Sequence, residues 1–209
     1  MKFMAGIDEA GRGAVLGPLV MGIVVAGEEG IKNLAALGVK DSKQLTRGQR
    51  EKIFNEMYSG NVGLAHMSWT QCSPMIIDST NLNRLELMMA KELVNSVYCT
   101  DDMEFIIDDF TNGKWKDLNL PSFIRFEIKA DQNHIVVGAA SIIAKVIRDR
   151  LLDMDLKANG LSECSGYPSD NKTVDTITEY YKTNKKMPKC ARASWKTCKQ
   201  ISESVNAKI

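Results

Sequence analysis

The chain opens on a short apolar run, Phe3 to Ile7, and ends that run with two adjacent carboxylates, Asp8 and Glu9. Gly11, Arg12 and Gly13 follow, and then a β-rich run from Pro18 to Ala26. Two buried-strand patterns joined by a glycine loop predict antiparallel neighbours. Adjacent Asp and Glu at a strand end each need a partner or water. A divalent cation would satisfy both. A Gly-Arg-Gly loop in turn suits a polyanion backbone passing over it.

The rest of the chain supplies further strands and helices. Residues 31–37 read as a short helix ended by Gly38. Thr46 with Gln49 forms a capping-box pattern and opens a helix through Arg50 to Tyr58. Residues 61–69 read as a strand, and Pro74 as a break. Asn81 to Tyr98 reads as a helix with Leu82, Leu85, Met88, Met89, Leu93 and Val97 near one face. Met103 to Asp108 is an apolar run that again ends in carboxylates, Asp108 and Asp109. Trp115 and Leu118 suit a short helix after it. Residues 123–129 alternate as a strand does. Ile135 to about Ala158 reads as a long helix, with Asp131 just ahead of its N-terminus, where negative charge is favoured. Asn159-Gly160 ends it. Ser169 or Asp170 caps a helix carrying Thr173 to Tyr181, and Ser194 to Ile201 reads as a last helix. This order predicts an α/β sheet with a mainly helical C-terminal region, divided as 1–160 and 161–209.

Charge is uneven along the 209 residues. Residues 1–181 carry 19 basic and 25 acidic side chains, whereas the segment after Tyr181 carries eight basic and one acidic. An acidic body can hold metals and a basic tail can hold phosphates, although charge alone reads the tail as a solvated helix. Five cysteines without a C-x-x-C pair exclude a zinc module and a disulfide scaffold, and fit reduced thiols in the cytoplasm. No signal peptide is expected, and no apolar run reaches the length of a membrane span.

Taken singly, each acid is an ordinary surface charge. Taken together, Asp8, Glu9, Asp108 and Asp131 place oxygen ligands at the ends of several elements. Hard oxygens without clustered His or Cys suit Mg²⁺ or Mn²⁺. Two such ions about 3.5–4 Å apart are the usual apparatus for attack of water on a phosphodiester. The glycine spacing Gly11-x-Gly13-x-x-x-Gly17 is one residue off a dinucleotide fingerprint, and a β-branched run follows where that motif needs a helix. No Walker lysine pattern and no nucleophile elbow is present; Ser141 reads as packing. His66 reads as structural, and His134 stands close enough to Asp131 to be a weak site candidate.

Five segments together resemble ribonuclease HII, the type 2 ribonuclease H. They are G-I-D-E-A-G-R-G at 6–13, K-D-S-K-Q-L-T at 40–46, N-L-N-R-L-E-L at 81–87, K-A-D at 129–131 and A-A-S-I-I-A-K-V-I-R-D-R at 139–150. G-Y-P-S-D at 166–170 and R-A-S-W-K-T at 192–197 look like the archaeal and eukaryotic branch. The resemblance implies a ribonuclease H-like fold, a mixed five-stranded sheet flanked by helices. It implies a monomeric, Mg²⁺- or Mn²⁺-dependent endonuclease acting on RNA–DNA hybrids and on ribonucleotides embedded in duplex DNA. Its four metal-holding acids fall on Asp8, Glu9, Asp131 and either Asp108 or Asp109. Asp108 is preferred, because an apolar run followed at once by Asp is the commoner family pattern; adjacent strand residues face opposite ways. The family's junction-reading motif falls on Gly11, Arg12 and Gly13, and its sugar-sensing tyrosine on Tyr167, which by itself reads as a core residue. Lys40, Ser42, Lys43, Arg148 and Lys196 resemble phosphate contacts, which position a duplex without reading sequence.

The segment Ile107-Asp108-Asp109-Phe110 also resembles the sister family, ribonuclease HIII, which attacks longer RNA stretches. That family has Thr or Ser where Arg12 stands, Glu where Asp131 stands, and an added N-terminal domain for which four residues before Ala5 leave no room. The alternatives are therefore an HIII-like activity on long hybrids only, or a non-catalytic binder of hybrid duplexes.

Overall fold

The computed structural model describes residues 2–39, 44–98, 103–110, 113 and 123–207. The chain divides into two compact units. The first comprises Met1–Ala10, Val20–Thr70 and Asn83–Val146, and the second Gly11–Leu19, Gln71–Leu82 and Ile147–Ile209. The Gly-Arg-Gly loop therefore belongs with the C-terminal helices, not with the strand that precedes it.

The first unit is built on a five-stranded mixed sheet. Its strands are β1 (Met4–Ala10), β2 (Leu19–Ala26), β3 (His66–Cys72), β4 (Glu104–Asp108) and β5 (Ile124–Glu127), in the order β3-β2-β1-β4-β5. β1 runs antiparallel to β2, with Ile7 opposite Ile23 and Asp8 opposite Gly22. It runs parallel to β4, with Ile7 beside Ile107, and β4 runs parallel to β5, with Asp108 beside Glu127. Every residue of β2 is buried, as its unbroken apolar run predicts for a strand covered on both faces.

One long helix, α6 (Ile135–Ala158), covers this sheet. Its first half is largely apolar, with Val136, Val137, Ala139, Ala140, Ile142 and Ile143 all buried, and Ser141 and Lys145 are its polar side chains. Two glycines set how close it lies. A Cβ at Gly6 of β1 would sit 2.3 Å from the Val136 carbonyl carbon, and one at Gly22 of β2 would sit 2.8 Å from the Ala140 oxygen. Backbone cannot yield as a flexible side chain can, so only glycine admits the helix at this depth. That close seat brings the polar side of α6 within reach of Asp8.

Two smaller helices, the first and the third, differ from expectation at their starts. α1 (Glu28–Ala36) begins three residues before the expected 31. α2 (Arg47–Tyr58) has the expected capping box, with Gln49 N donating to Thr46 Oγ1 at 3.3 Å and Thr46 N to Gln49 Oε1 at 2.8 Å. Pro74 opens α3 (Pro74–Ser79) rather than merely breaking the chain, because its fixed φ and missing N–H are harmless in a first turn. α4 (Leu82–Asn95) follows as expected, and β3 starts only at His66. The helix expected around Trp115 and Leu118 lies outside the described residues.

The second unit packs α7 (Asn171–Asn184) and α8 (Lys196–Asn206) with the later turns of α6. Its core joins Leu152 and Leu156 of α6, Ile177 of α7, and Cys198, Ile201 and Val205 of α8 to Val15 and Leu16. Asp170 caps α7, accepting from Lys172 N at 3.0 Å. The basic segment after Tyr181 is therefore not a simple solvated tail: Cys190, Ala191, Arg192 and Cys198 are buried, whereas Lys182, Lys185, Lys186, Lys189, Lys196 and Lys199 are exposed.

Candidate active site

Strand register gathers the acids. Asp8 lies one residue past the Ile7–Ile107 pair, so it runs beside Asp108 across the β1–β4 ladder. Asp8 shares the α6-facing side of β1 with Gly6, and Glu9 points the other way. Asp8 is buried at 5% exposure. Its Oδ1 accepts from Glu9 N at 2.8 Å, and Ser141 of α6 donates to its carboxylate. Lys145, one turn further along α6, donates to Ser141 Oγ at 3.2 Å and adds a compensating positive charge.

The third acid position has two candidates with different partners. Asp108 Oδ1 accepts from Ala130 N at 2.7 Å. Asp109 Oδ2 accepts from Gly113 N at 2.8 Å. Asp108's charge bears on Asp8. Asp131 is buried in α5 (Ala130–Asn133), a short turn entered through Lys129 in the left-handed region at φ 58. The residue before it is thus hydrogen-bonded to Asp108, which ties two acids from separate elements to one corner. Sequence placed Asp131 ahead of a helix; it sits within this extra turn, and α6 starts at Ile135 as expected.

The electrostatics fit a cation. Burial pushes the Asp8 carboxyl well above the usual carboxylate range, and the charges of Glu9 and Asp108 push it further. Like charges held together in a dry corner are the conflict that a bound divalent ion relieves. The donors are carboxylate oxygens, the set for Mg²⁺ or Mn²⁺. Asp8, Glu9, Asp108 and Asp131 are the acids that could hold such ions, although among the described residues no three His, Cys, Asp or Glu side chains stand close enough to cage one unaided.

In the second unit, loop 11–17 is wedged between two other loops. Gly11 takes φ 89, and a Cβ there would lie 2.5 Å from the Pro18 oxygen. Val15 N and Leu16 N donate to the Gly166 oxygen at 2.8 and 3.1 Å, and Gly17 N donates to the Cys190 oxygen at 2.8 Å. Arg12 is half-buried and Gly13 is exposed with nothing within 4 Å of a Cβ built there. Tyr167 is half-buried at the rim of the 165–170 loop, not a core tyrosine.

Arg148 departs from expectation. It is 3% exposed, donates to the Ser165 oxygen at 2.6 Å and to Asp149 Oδ1 at 3.0 Å, and lies 4.8 Å from the centre of the Tyr167 ring. Its guanidinium is thus engaged by Ser165, Asp149 and the Tyr167 ring. Lys196 is exposed at the start of α8. Lys40, Ser42 and Lys43 lie outside the described residues. His134 pairs with Glu127 at 2.8 Å, and Asn133 donates to the same carboxylate at 2.8 Å, so this histidine braces the β5–α5 corner. Sequence reasoning read Ser141 as packing, whereas it bonds Asp8, and missed Lys145 and Glu127. It quoted Arg192 only as part of a motif. A buried arginine leaves no periodic signal; the clues to Ser141 and Lys145 were their place in the 139–150 motif and their i, i+4 spacing.

A protein-family model described as Ribonuclease HII matches residues 5–198. The ribonuclease HII of Pyrococcus abyssi is 39% identical over 208 residues, covering 96% of this chain and 91% of that protein. The chain belongs to the ribonuclease HII family. It is accordingly an endoribonuclease of the ribonuclease H class, a divalent-metal-dependent group. The crystal structure of ribonuclease H2 from Pyrococcus horikoshii OT3 matches with a TM-score of 0.81 and 36% identity, covering 98% of this chain and 99% of that one. A ribonuclease HIII solved with Mn²⁺ (Bst-RNase HIII) shares the fold, with a TM-score of 0.80 at 20% identity over 99% of this chain and 71% of that one. Among the described residues no helix is long and apolar enough to cross a membrane.

Proposed function

We propose that this ribonuclease HII hydrolyses the RNA strand of RNA–DNA hybrids and nicks 5′ of ribonucleotides embedded in duplex DNA, leaving 3′-hydroxyl and 5′-phosphate ends. The observation that carries this reading is the meeting of Asp8 on β1 with the charge of Asp108 on β4; the Gly-Arg-Gly motif follows in the sequence. A bound pair of divalent cations supplies activation of water and neutralisation of the leaving 3′ oxygen. Asp8, Glu9, Asp108 and Asp131 hold them, with Asp108 favoured over Asp109 because its charge bears on Asp8. Ser141 and Lys145 fix the Asp8 carboxylate between turnovers. The amides of the Gly11–Gly13 loop reach the 2′-hydroxyl and its phosphate, and the Tyr167 ring stacks against the sugar on the 3′ side. Lys196, with Lys40, Ser42 and Lys43, holds phosphates without reading bases.

The test is a DNA duplex with one internal ribonucleotide, incubated with Mg²⁺ or Mn²⁺ beside a long RNA–DNA hybrid. Both are expected to be cut, the first 5′ of the ribonucleotide, and Asp8→Asn is expected to cut neither. Cutting of the hybrid alone would support an HIII-like activity, and binding without cutting a passive hybrid binder.

A further inference from the structure

Arg192 is the largest fully buried side chain of the described residues, at 0% exposure. It donates to the backbone oxygens of Arg12 at 2.9 Å, Gly11 at 2.6 Å and Gly17 at 3.3 Å. Its guanidinium stacks 4.7 Å from the centre of the Trp195 ring, and its own N–H donates to the Val15 oxygen at 2.9 Å. Arg148 treats the facing loop in the same way, through the Ser165 oxygen and the Tyr167 ring. Burying a guanidinium is costly unless its donors are satisfied. Packing alone gives no reason to bury two of them beside one loop. A planar fork can bond several carbonyls and stack on a ring at once; an ammonium cannot.

We infer that Arg148 and Arg192 are positioning residues for substrate discrimination: Arg192 sets the path of loop 11–17, Arg148 sets the ring of Tyr167, and neither guanidinium touches phosphate. The two loops they hold are joined directly through the Gly166 oxygen. The junction-reading surface is therefore built before substrate arrives, and its ordering cost is met in folding rather than in binding. This inference rests on the proposed roles of the Gly11–Gly13 loop and Tyr167.

The experiment compares kcat/KM on a duplex with one ribonucleotide against a long RNA–DNA hybrid. Arg148→Lys, Arg192→Lys and Tyr167→Leu are each expected to lower that ratio about tenfold, with the double variant Arg148→Lys/Tyr167→Leu within about twofold of Tyr167→Leu alone. Multiplying losses in the double variant would overturn the claim that Arg148 acts through the ring. Binding to the one-ribonucleotide duplex in EDTA gives a second readout. Arg148→Met is expected to leave the log–log salt slope unchanged, whereas a drop of about 0.9 would make Arg148 a phosphate contact. Hydrogen exchange needs no substrate: the Gly166 and Tyr167 amides in Arg148→Lys are expected to exchange at least about fivefold faster. Unchanged protection would overturn the positioning role. A wild-type protein that cuts neither substrate would refute the proposed function, and the exchange result would still decide the role of Arg148.

Discussion

Asp8 carries the electrostatic conflict of the acid corner. Its carboxyl is buried beside two other acids, and its pKa is raised above the ordinary 3.8. A carboxyl raised in the folded state favours folding when protonated. The penalty therefore begins near pH 3.8, grows as pH rises towards the raised value, and is complete above it. At neutral pH, in EDTA, Asp8→Asn is expected to raise Tm by about 2–4 °C, the shift that about 1 kcal/mol brings in a chain of this size. The same variant is expected to lose cleavage, a trade of stability against activity. An unchanged or lower Tm by thermal denaturation would mean that Ser141 and Lys145 already cancel the burial penalty. Burial acts on thiols too, pushing Cys190 up to about 12 and Cys198 up to about 11. Both thiols stay protonated, and their contribution to stability is lost only as pH rises past the ordinary 9.0. The thiolate is the reactive form. With iodoacetamide at neutral pH, peptide mapping should therefore find half-buried Cys72 and Cys164 modified, and Cys190 and Cys198 untouched until the protein unfolds.

Helix α6 links sheet and chemistry. Its first turns touch β1 and β2 at glycine, and this contact lets Ser141 and Lys145 meet Asp8. Gly6→Ala would place a methyl group 2.3 Å from the Val136 backbone, closer than atoms tolerate. Its expected cost is about 3 kcal/mol or more by urea denaturation, with cleavage lost as α6 shifts. Gly22→Ala, at 2.8 Å from Ala140, is expected to cost less. Equal stability of Gly6→Ala and wild type would show that the helix can retreat without harm. The apolar run from Ile135 predicts the helix itself. Its depth on the sheet depends on residues more than 100 positions away, at Gly6 and Gly22.

Across the whole molecule, charge and core divide the C-terminal segment differently from its sequence. Cutting the chain after Tyr181 would remove Cys190, Ala191, Cys198, Ile201 and Val205 from the second core, so truncation tests folding rather than binding. Neutralising surface charge tests binding directly. Lys185, Lys189, Lys196 and Lys199 are exposed, and changing all four to Gln is expected to reduce the log–log salt slope by about 0.9 for each one that meets a phosphate. A slope equal to wild type would make the basic face merely solvated. The sequence by itself determined the order of strands and helices, the capping box at Thr46, the cap at Asp170 and the acids to watch. Those signals are local: apolar period, cap chemistry and carboxylates at strand ends. Only the tertiary structure decided that Asp108's charge bears on Asp8, that Gly6 and Gly22 seat α6, and that the Gly-Arg-Gly loop belongs with Arg192 and Tyr167. It also showed that Arg148 is buried, against the Ser165 oxygen and the Tyr167 ring. Register and burial join residues up to about 180 positions apart, and no periodicity in the chain records such a meeting.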